Sequence, residues 1–235
     1  MTDKTYTALP KYVQLSEMLV REINAGLLLD GERLPPERDM AKSLGTSVGT
    51  LRKALADLTE KGMLERRHGS GNYVRAAADQ SSVYAFFRLE LVTGGGLPTA
   101  EVLQVDRVAK EPEMPDFGPS DQAHRIRRLR YLNDVPVALE EIWLDGSHAK
   151  RLKLEELSDS LYLYYKSQLN LWITRTEDRV FVAETPGWAP DGFGPSEGQT
   201  VGYVERMSWS QDGAAAEFSR NWFDPAVARF VSRSA

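Results

Sequence analysis

Apolar residues recur with a helical period up to about Lys61 and with a strand period beyond it. Leu15, Met18, Leu19 and Ile23 fall on one helical face, and Gly26 follows where a C-terminal cap belongs. A second, short helix is predicted from Pro36-Glu37, with Met40, Ala41 and Leu44 turned inward until Gly45 stops it. A third has Ser47 as N-cap and Leu51, Ala54, Leu55 and Leu58 at i, i+3, i+4 and i+7, with Gly62 ending it. From Met63 to Val74 two short apolar runs flank a Gly-Ser-Gly tip, which predicts a small β-hairpin. Ala76 to Ser82 is small and polar and reads as a linker. Strands are then expected at Val83–Leu91, Ala100–Val108, Arg125–Leu132, Val137–Leu144, Trp172–Ala183, Thr200–Trp209 and Ala214–Phe223. Asn133-Asp134 and Asp212-Gly213 read as tight hairpin turns, and helical patches fall near His148–Leu157 and Ser160–Leu169.

This order predicts two parts: a winged helix-turn-helix, and an α+β domain dominated by antiparallel sheet. At 235 residues, 42% of them hydrophobic and 27% charged, the chain has enough apolar material for both cores. The net charge of −5 argues against a nucleic-acid partner only until it is divided. Met1 to Arg75 holds 12 basic against 10 acidic residues, or +2, whereas the remainder holds 17 against 24, or −7. A mildly basic module followed by an acidic one suits two different partners. Without cysteine there is no disulfide framework, thiolate zinc site or thiol nucleophile. No apolar run spans a bilayer and the N-terminus lacks a signal peptide's apolar stretch, so a cytoplasmic protein is expected.

The residues of the first part are more specific than their period. Tyr12-Val13-Gln14-Leu15, Gly31 to Arg38, Ala41, Thr50 to Leu55, Leu58 and Gly62 to Gly71 resemble the N-terminal module of GntR-family bacterial transcription regulators. The resemblance implies a third helix in the major groove of operator DNA and a wing tip at the minor groove. By position, Arg38, Ser47, Thr50, Arg52, Lys53, His68 and Gly69 become candidate DNA contacts. Thr50 sits where a hydroxyl and free backbone N–H groups can hold a phosphate. Arg52 lies just off the buried Leu51/Leu55 stripe and has the fork that reads guanine. Val48 stands where the family usually has an arginine, so a half-site altered at that base is expected; Gly49 and Asp30 are smaller departures. Lys53 is the residue that would compensate for Val48.

In the second part, charges interrupt apolar faces. Arg128 and Arg130 share a face with Ile126; Glu140 shares one with Ala138, Ile142 and Leu144; Glu217 lies among Ala215, Ser219 and Phe223. Each is either an internal ion pair or a ligand group, because an unpartnered buried charge is costly. A strict two-residue turn at Asn133-Asp134 would set Arg128 opposite Leu139, whereas a bulge or longer loop would set it opposite Glu140. Arg128 to Arg130, Asp134 to Glu140, Ser160 to Tyr162 and Asp212-Gly213 with Glu217 resemble the UTRA effector domain of the HutC-type GntR subgroup. That resemblance implies a chorismate-lyase-like fold, dimerisation and a small-molecule effector, held here by Arg128, Arg130, Glu140, Tyr162 and Glu217. The segment Thr185 to Gln199 is rich in Pro and Gly and departs from the family's short helix; it reads as a surface loop or a mobile flap carrying Trp188 and Phe193.

Other chemistries are weaker. Asp145-Gly-Ser-His148 is too sparse for a metal site, and Gly94-Gly95-Gly96 does not open a helix and so is not a phosphate cradle. No catalytic residue, metal or cofactor is assigned. The expectation is a homodimeric regulator with a DNA-binding domain over residues 1–75, a linker over 76–82 and an effector-binding domain over 83–235. It would act as a repressor released from double-stranded operator DNA by an anionic sugar derivative or carboxylated metabolite. The alternatives are a rear domain that only dimerises, and a lyase-like enzyme on the same fold.

Overall fold

The computed structural model describes residues 10–24, 27–75, 86–157 and 160–233. Gly26, the linker residues Ala76 to Ser82 and the start of the Val83–Leu91 segment lie outside the described residues. Two compact units result, Leu9–Phe87 and Arg88–Val231.

The first unit contains helices α1 (Lys11–Asn24), α2 (Glu37–Ser43) and α3 (Val48–Glu60) and a hairpin of β1 (Leu64–Arg67) and β2 (Gly71–Val74). The faces expected from periodicity are the buried ones: Leu15, Met18, Leu19 and Ile23 of α1 against Leu51, Ala54, Leu55 and Leu58 of α3. Gly45 and Gly62 end α2 and α3 in the left-handed region (φ 58° and 73°), which an L side chain adopts only at a cost. The hairpin turns at His68-Gly69-Ser70, one residue earlier than the Gly-Ser-Gly tip, and Gly71 already belongs to β2.

The second unit is a six-stranded antiparallel sheet in the order β4-β5-β6-β9-β8-β7, with a separate two-stranded pair of β3 (Leu89–Leu91) and β10 (Ala228–Phe230). The large-sheet strands are β4 (Pro98–Ala109), β5 (Gln122–Leu132), β6 (Val135–Asp145), β7 (Ile173–Glu184), β8 (Thr200–Ser210) and β9 (Ala215–Phe223). Helix α4 (Leu161–Leu169), capped by Ser160, packs Tyr164 and Tyr165 with Ile126, Ile142 and Leu144 in one core on one sheet face. The opposite face carries two further cores, one around Leu139, Trp222 and Phe193 and one around Trp143, Phe218 and Phe117.

Three expectations are corrected and one strand is added. The 148–157 patch forms only a 3-10 turn at Leu154–Glu156. The carbonyls a helix would need are taken by side chains: Arg107 donates to Ala149 O and Lys150 O at 3.1 and 2.9 Å, and His124 Nε2 lies 2.8 Å from Ala149 O. The Pro/Gly-rich segment is neither helix-free nor a mere surface loop. It makes one 3-10 turn, Asp191–Phe193, which buries Phe193, and Trp188 lies edge-on to Trp222 at 5.8 Å. Ala215 does not share the face of Glu217, because a bulge at Ser208/Trp209 turns it toward Trp143 and Phe218. Strand β10 went unseen, since three residues are too few to display an alternation.

The turn question resolves as both alternatives at once. Asn133 and Asp134 occupy the left-handed region (φ 49° and 63°), as a two-residue type I′ turn requires, and Leu132 pairs with Val135. A bulge between Arg130 and Tyr131 then shifts the ladder, so that Arg128 faces Glu140.

Candidate functional site

In the first unit, Ser47 caps α3 by accepting the Thr50 N–H at 3.0 Å, and the two hydroxyls lie 2.8 Å apart. The Thr50 N–H is therefore engaged rather than free, and the Leu51 N–H is given to Ser47 O at 3.0 Å. Arg38, Ser47, Arg52, Lys53, His68 and Gly69 are all exposed. Arg52 Nε donates to Glu37 Oε2 at 2.6 Å, a contact between α3 and α2 that the helical pattern alone did not reveal. Gly69 has φ 71° and open space where a Cβ would stand, so the turn, not crowding, calls for glycine. Arg67 and Arg75 both bond Glu65, and the Arg67 guanidinium also lies over the Tyr73 ring at 4.2 Å, which stiffens the hairpin.

In the second unit the ladders decide which side chains share a face. Arg128 and Arg130 on β5, Glu140 on β6, Ser219 and Glu217 on β9, Arg206 and Ser208 on β8 and Asp178 on β7 all belong to the face that α4 covers. Arg128 donates to Glu140 Oε2 at 2.5 Å, and Arg130 Nε lies 3.7 Å from Glu140 Oε1. Burial pushes the Glu140 carboxyl up, but the charges of Arg128, Arg130 and Arg206 outweigh it and hold it below the ordinary value. Glu217 is 2% exposed and accepts from Tyr165 Oη at 2.8 Å, Tyr162 Oη at 3.1 Å and Ser208 Oγ at 3.2 Å. Burial and the Glu217 charge push both tyrosines up, so they remain donors. Arg206 bonds Asp178 in a fork, at 2.5 and 2.8 Å, and its charge reaches both Glu140 and Glu217. The five expected residues thus lie on one polar band. Arg206, Asp178, Ser208 and Tyr165 complete it and were missed, although Arg206 and Asp178 also interrupt apolar alternation (Val204, Val180, Val182) and carried the same signal.

Burial raises the Glu217 carboxyl above its ordinary value, against its hydroxyl donors. A group with a raised folded pKa contributes fully below its unfolded value, about 4.3 for glutamate. That contribution is lost as pH rises through the folded value. Glu217→Gln cannot ionise, so its melting temperature relative to wild type is expected to improve as pH rises above about 4. A difference that stays constant up to pH 7 would show that Glu217 is not raised.

Asp145, the centre of the dismissed metal motif, is instead a structural anchor. It accepts from Lys110 Nζ at 2.7 Å, Ser120 N at 3.1 Å and Ser147 N at 3.0 Å. Among the described residues, no group of three His, Asp or Glu side chains is arranged to hold a metal ion, and no helix is long and apolar enough to cross a membrane.

Comparison with known proteins agrees with both units. Residues 11–74 match the family described as "Bacterial regulatory proteins, gntR family", and residues 94–227 match the "UTRA domain". The HTH-type transcriptional regulator SmoD of Agrobacterium fabrum is 60% identical over 96% of this chain and 97% of its own length. The HTH-type transcriptional repressor NagR of Bacillus subtilis is 25% identical, over 91% and 90%. Among solved structures, the "possible transcriptional regulator YydK" of Bacillus subtilis shares the fold with a TM-score of 0.53 at 21% identity, covering 97% of this chain and 100% of its own. The chain therefore belongs to the gntR family of bacterial regulatory proteins, in the HutC-type branch that carries a UTRA domain, and is a DNA-binding transcription regulator.

Proposed function

We propose that the protein is a homodimeric repressor whose operator affinity falls when a small anionic metabolite occupies the polar band of the UTRA domain. The observation that carries this reading is the gathering of Arg128, Arg130 and Arg206 around Glu140 on one covered sheet face, beside the hydroxyls of Tyr162, Tyr165 and Ser208. Guanidinium forks suit a carboxylate, phosphate or comparable oxyanion, and the hydroxyls and Glu217 suit the hydroxyl groups of a sugar-like body. Regulation requires only that the effector bind one dimer geometry better than the other, so no catalytic step is assigned. The NagR relative, named a repressor, supports the sign.

At the operator, each α3 would enter the major groove of one half-site, with Arg52 on a guanine, Ser47 and Thr50 along the backbone and Lys53 toward the base that Val48 leaves unread. Arg38 would hold the groove edge, and the His68-Gly69 tip would approach the minor groove. Glu37 takes up Arg52 Nε; with Arg52 more than half exposed, that contact contributes no more than about 1 kcal/mol and yields readily to a base. Arg52→Ala is expected to weaken operator binding by roughly 1–3 kcal/mol and to relax discrimination at one base pair of each half-site. Titration against a set of single-base operator variants checks this; discrimination as sharp as wild type would remove Arg52 from base reading.

The effector reading is tested by thermal shift of the purified protein against sugar phosphates, amino sugars, carboxylates and amino-acid catabolites. A ligand at a hundred times its Kd stabilises the folded state by about 2.7 kcal/mol, a clear rise in Tm. The Arg128–Glu140 pair also favours a second reading, in which the band is a filled structural core and the domain only dimerises. No shift across the panel would support that reading instead.

A further inference from the structure

We infer that the outward face of the wing clamps one DNA backbone phosphate between Arg33 and Arg67, beside the minor groove that the tip approaches. The inference rests on the wing reading proposed above and goes beyond it by assigning a contact that belongs neither to the tip nor to α3.

The wing is broader than its hairpin. Leu34 N–H donates to Asn72 O at 2.9 Å, Val74 N–H donates to Glu32 O at 2.8 Å, and Arg33 pairs with Tyr73, so residues 32–34 extend the ladder outward from β2. Side chains alternate across such a ladder. Leu34, Leu64 and Val74 turn inward and are buried. Arg33, Tyr73, Glu65 and Arg67 therefore belong to the outward face.

That face gathers guanidinium groups around one ring. Arg67 lies over the Tyr73 ring at 4.2 Å, and the Tyr73 hydroxyl is 2.6 Å from Ser70 Oγ, which ties the ring to the tip. Gly71 stands directly opposite Arg67 in the ladder. The Arg33 guanidinium lies across Gly71, with Nε and Nη2 at 3.4 and 3.8 Å from the place of a Cβ. A side chain at 71 would crowd Arg33, and the φ of 115° there calls for glycine as well. The two arginines thus approach one another over β2.

Their charges are not balanced. Glu65 serves Arg67, at 3.2 Å, and also Arg75. Arg33 is exposed and makes no ion pair among the described residues. Three guanidiniums therefore share one carboxylate. Like charges facing each other across a ladder repel, and an oxyanion between them offsets that repulsion while accepting N–H bonds from both sides. In a DNA-binding unit, phosphates line both walls of the groove at the wing tip, and contacts to them position the protein without reading sequence.

Because such a contact is blind to sequence, the operator is not needed to test it. Fluorescence anisotropy of the full chain is followed on two labelled duplexes of equal length and unrelated sequence, over a range of salt concentrations. Arg33→Ala combined with Arg67→Ala is expected to lower the slope of log affinity against log salt by about one. At about 0.1 M salt the affinity should fall roughly eightfold, equally on both duplexes. Arg33→Ala alone breaks no ion pair and is expected to fall between wild type and the double variant, which keeps the test valid should the loss of Arg67 cost stability. Arg179→Ala, which removes a 72% exposed guanidinium from the second unit, is expected to leave the slope unchanged. A wild-type slope in the double variant, or an equal loss in Arg179→Ala, overturns the clamp; a fall of about two in the slope replaces one shared phosphate by two separate contacts and overturns it as well. A rise in Tm with inorganic phosphate that the double variant abolishes, with DNA binding unchanged, makes this a site for a free anion instead. His68→Ala separates the two readings. If it weakens binding while the arginine variants do not, only the clamp fails; if none of them changes binding, the wing reading fails with it.

Discussion

Arg128→Ala is expected to keep operator binding and lose the effector response, and it is also expected to be markedly less stable. The loss of stability follows from Glu140, which would remain buried with its 2.5 Å partner gone. Breaking a buried pair in this way costs about 3–5 kcal/mol, toward the lower end here because Arg130 and Arg206 still oppose the carboxylate's charge. The two effects are separated by the double variant Arg128→Met with Glu140→Leu. Replacing both charges by apolar side chains of similar size removes the uncompensated carboxylate, so stability should return in part, short of wild type because buried Arg130 also faces Glu140, while the response stays lost. The measurements are urea unfolding and operator titration with and without the metabolite found in the thermal screen. A double variant that still releases the operator on effector addition would remove this pair from ligand recognition.

The second large effect lies far from any ligand. Asp145→Ala is expected to destabilise the UTRA domain by about 3–5 kcal/mol, lowering Tm on the order of 10 °C. The carboxylate is wholly buried at the end of β6 and gathers Lys110, Ser120 and Ser147, so its removal takes the acceptor from four donors, one of them the Lys110 ammonium. Gly118, at φ 59°, passes directly over that carboxyl, where any Cβ would overlap it. The 110–121 loop is thereby fixed above the Trp143 and Phe218 core. Burial pushes the Asp145 carboxyl up, but the bonds from Lys110, Ser147 and Ser120 outweigh it and hold it below the ordinary value. Its contribution is therefore full above about pH 3.9 and is lost as pH falls through the folded pKa. Differential scanning calorimetry of the variant between pH 3 and 7 checks both points: the deficit should shrink toward acid. A deficit that does not change with pH would assign the loss to packing.

Legibility in the sequence followed the length over which a pattern repeats. Helix α3 shows four inward residues at helical spacing between a capping serine and a glycine stop, and its bounds were readable to within a residue. Six long strands announced themselves by alternation, while β10, three residues long, did not. The polar band was legible wherever a charge stood among apolar residues of one parity, which is why Arg128, Arg130, Glu140 and Glu217 were found. Arg206 and Asp178 obeyed the same rule but carried no family motif. The Arg128–Glu140 pairing was left open because the turn and the bulge were weighed as alternatives, although Pro136, which faces Tyr131 beside the extra residue Val137, is a residue of the kind that marks a bulge. Buried Phe193 was missed for a related reason. The composition of its segment speaks only to backbone freedom and says nothing of an aromatic side chain reaching into a core.

The fork between Arg206 and Asp178 joins two places that would otherwise be independent, the polar band and the strand edge. A ligand that drew the Arg206 guanidinium to itself would loosen its hold on Asp178, so occupancy of the band and the order of the β7 edge would share one coupling free energy, and linkage would make it symmetrical. Asp178→Asn, which weakens the fork beforehand, would then alter the affinity of the band without touching it.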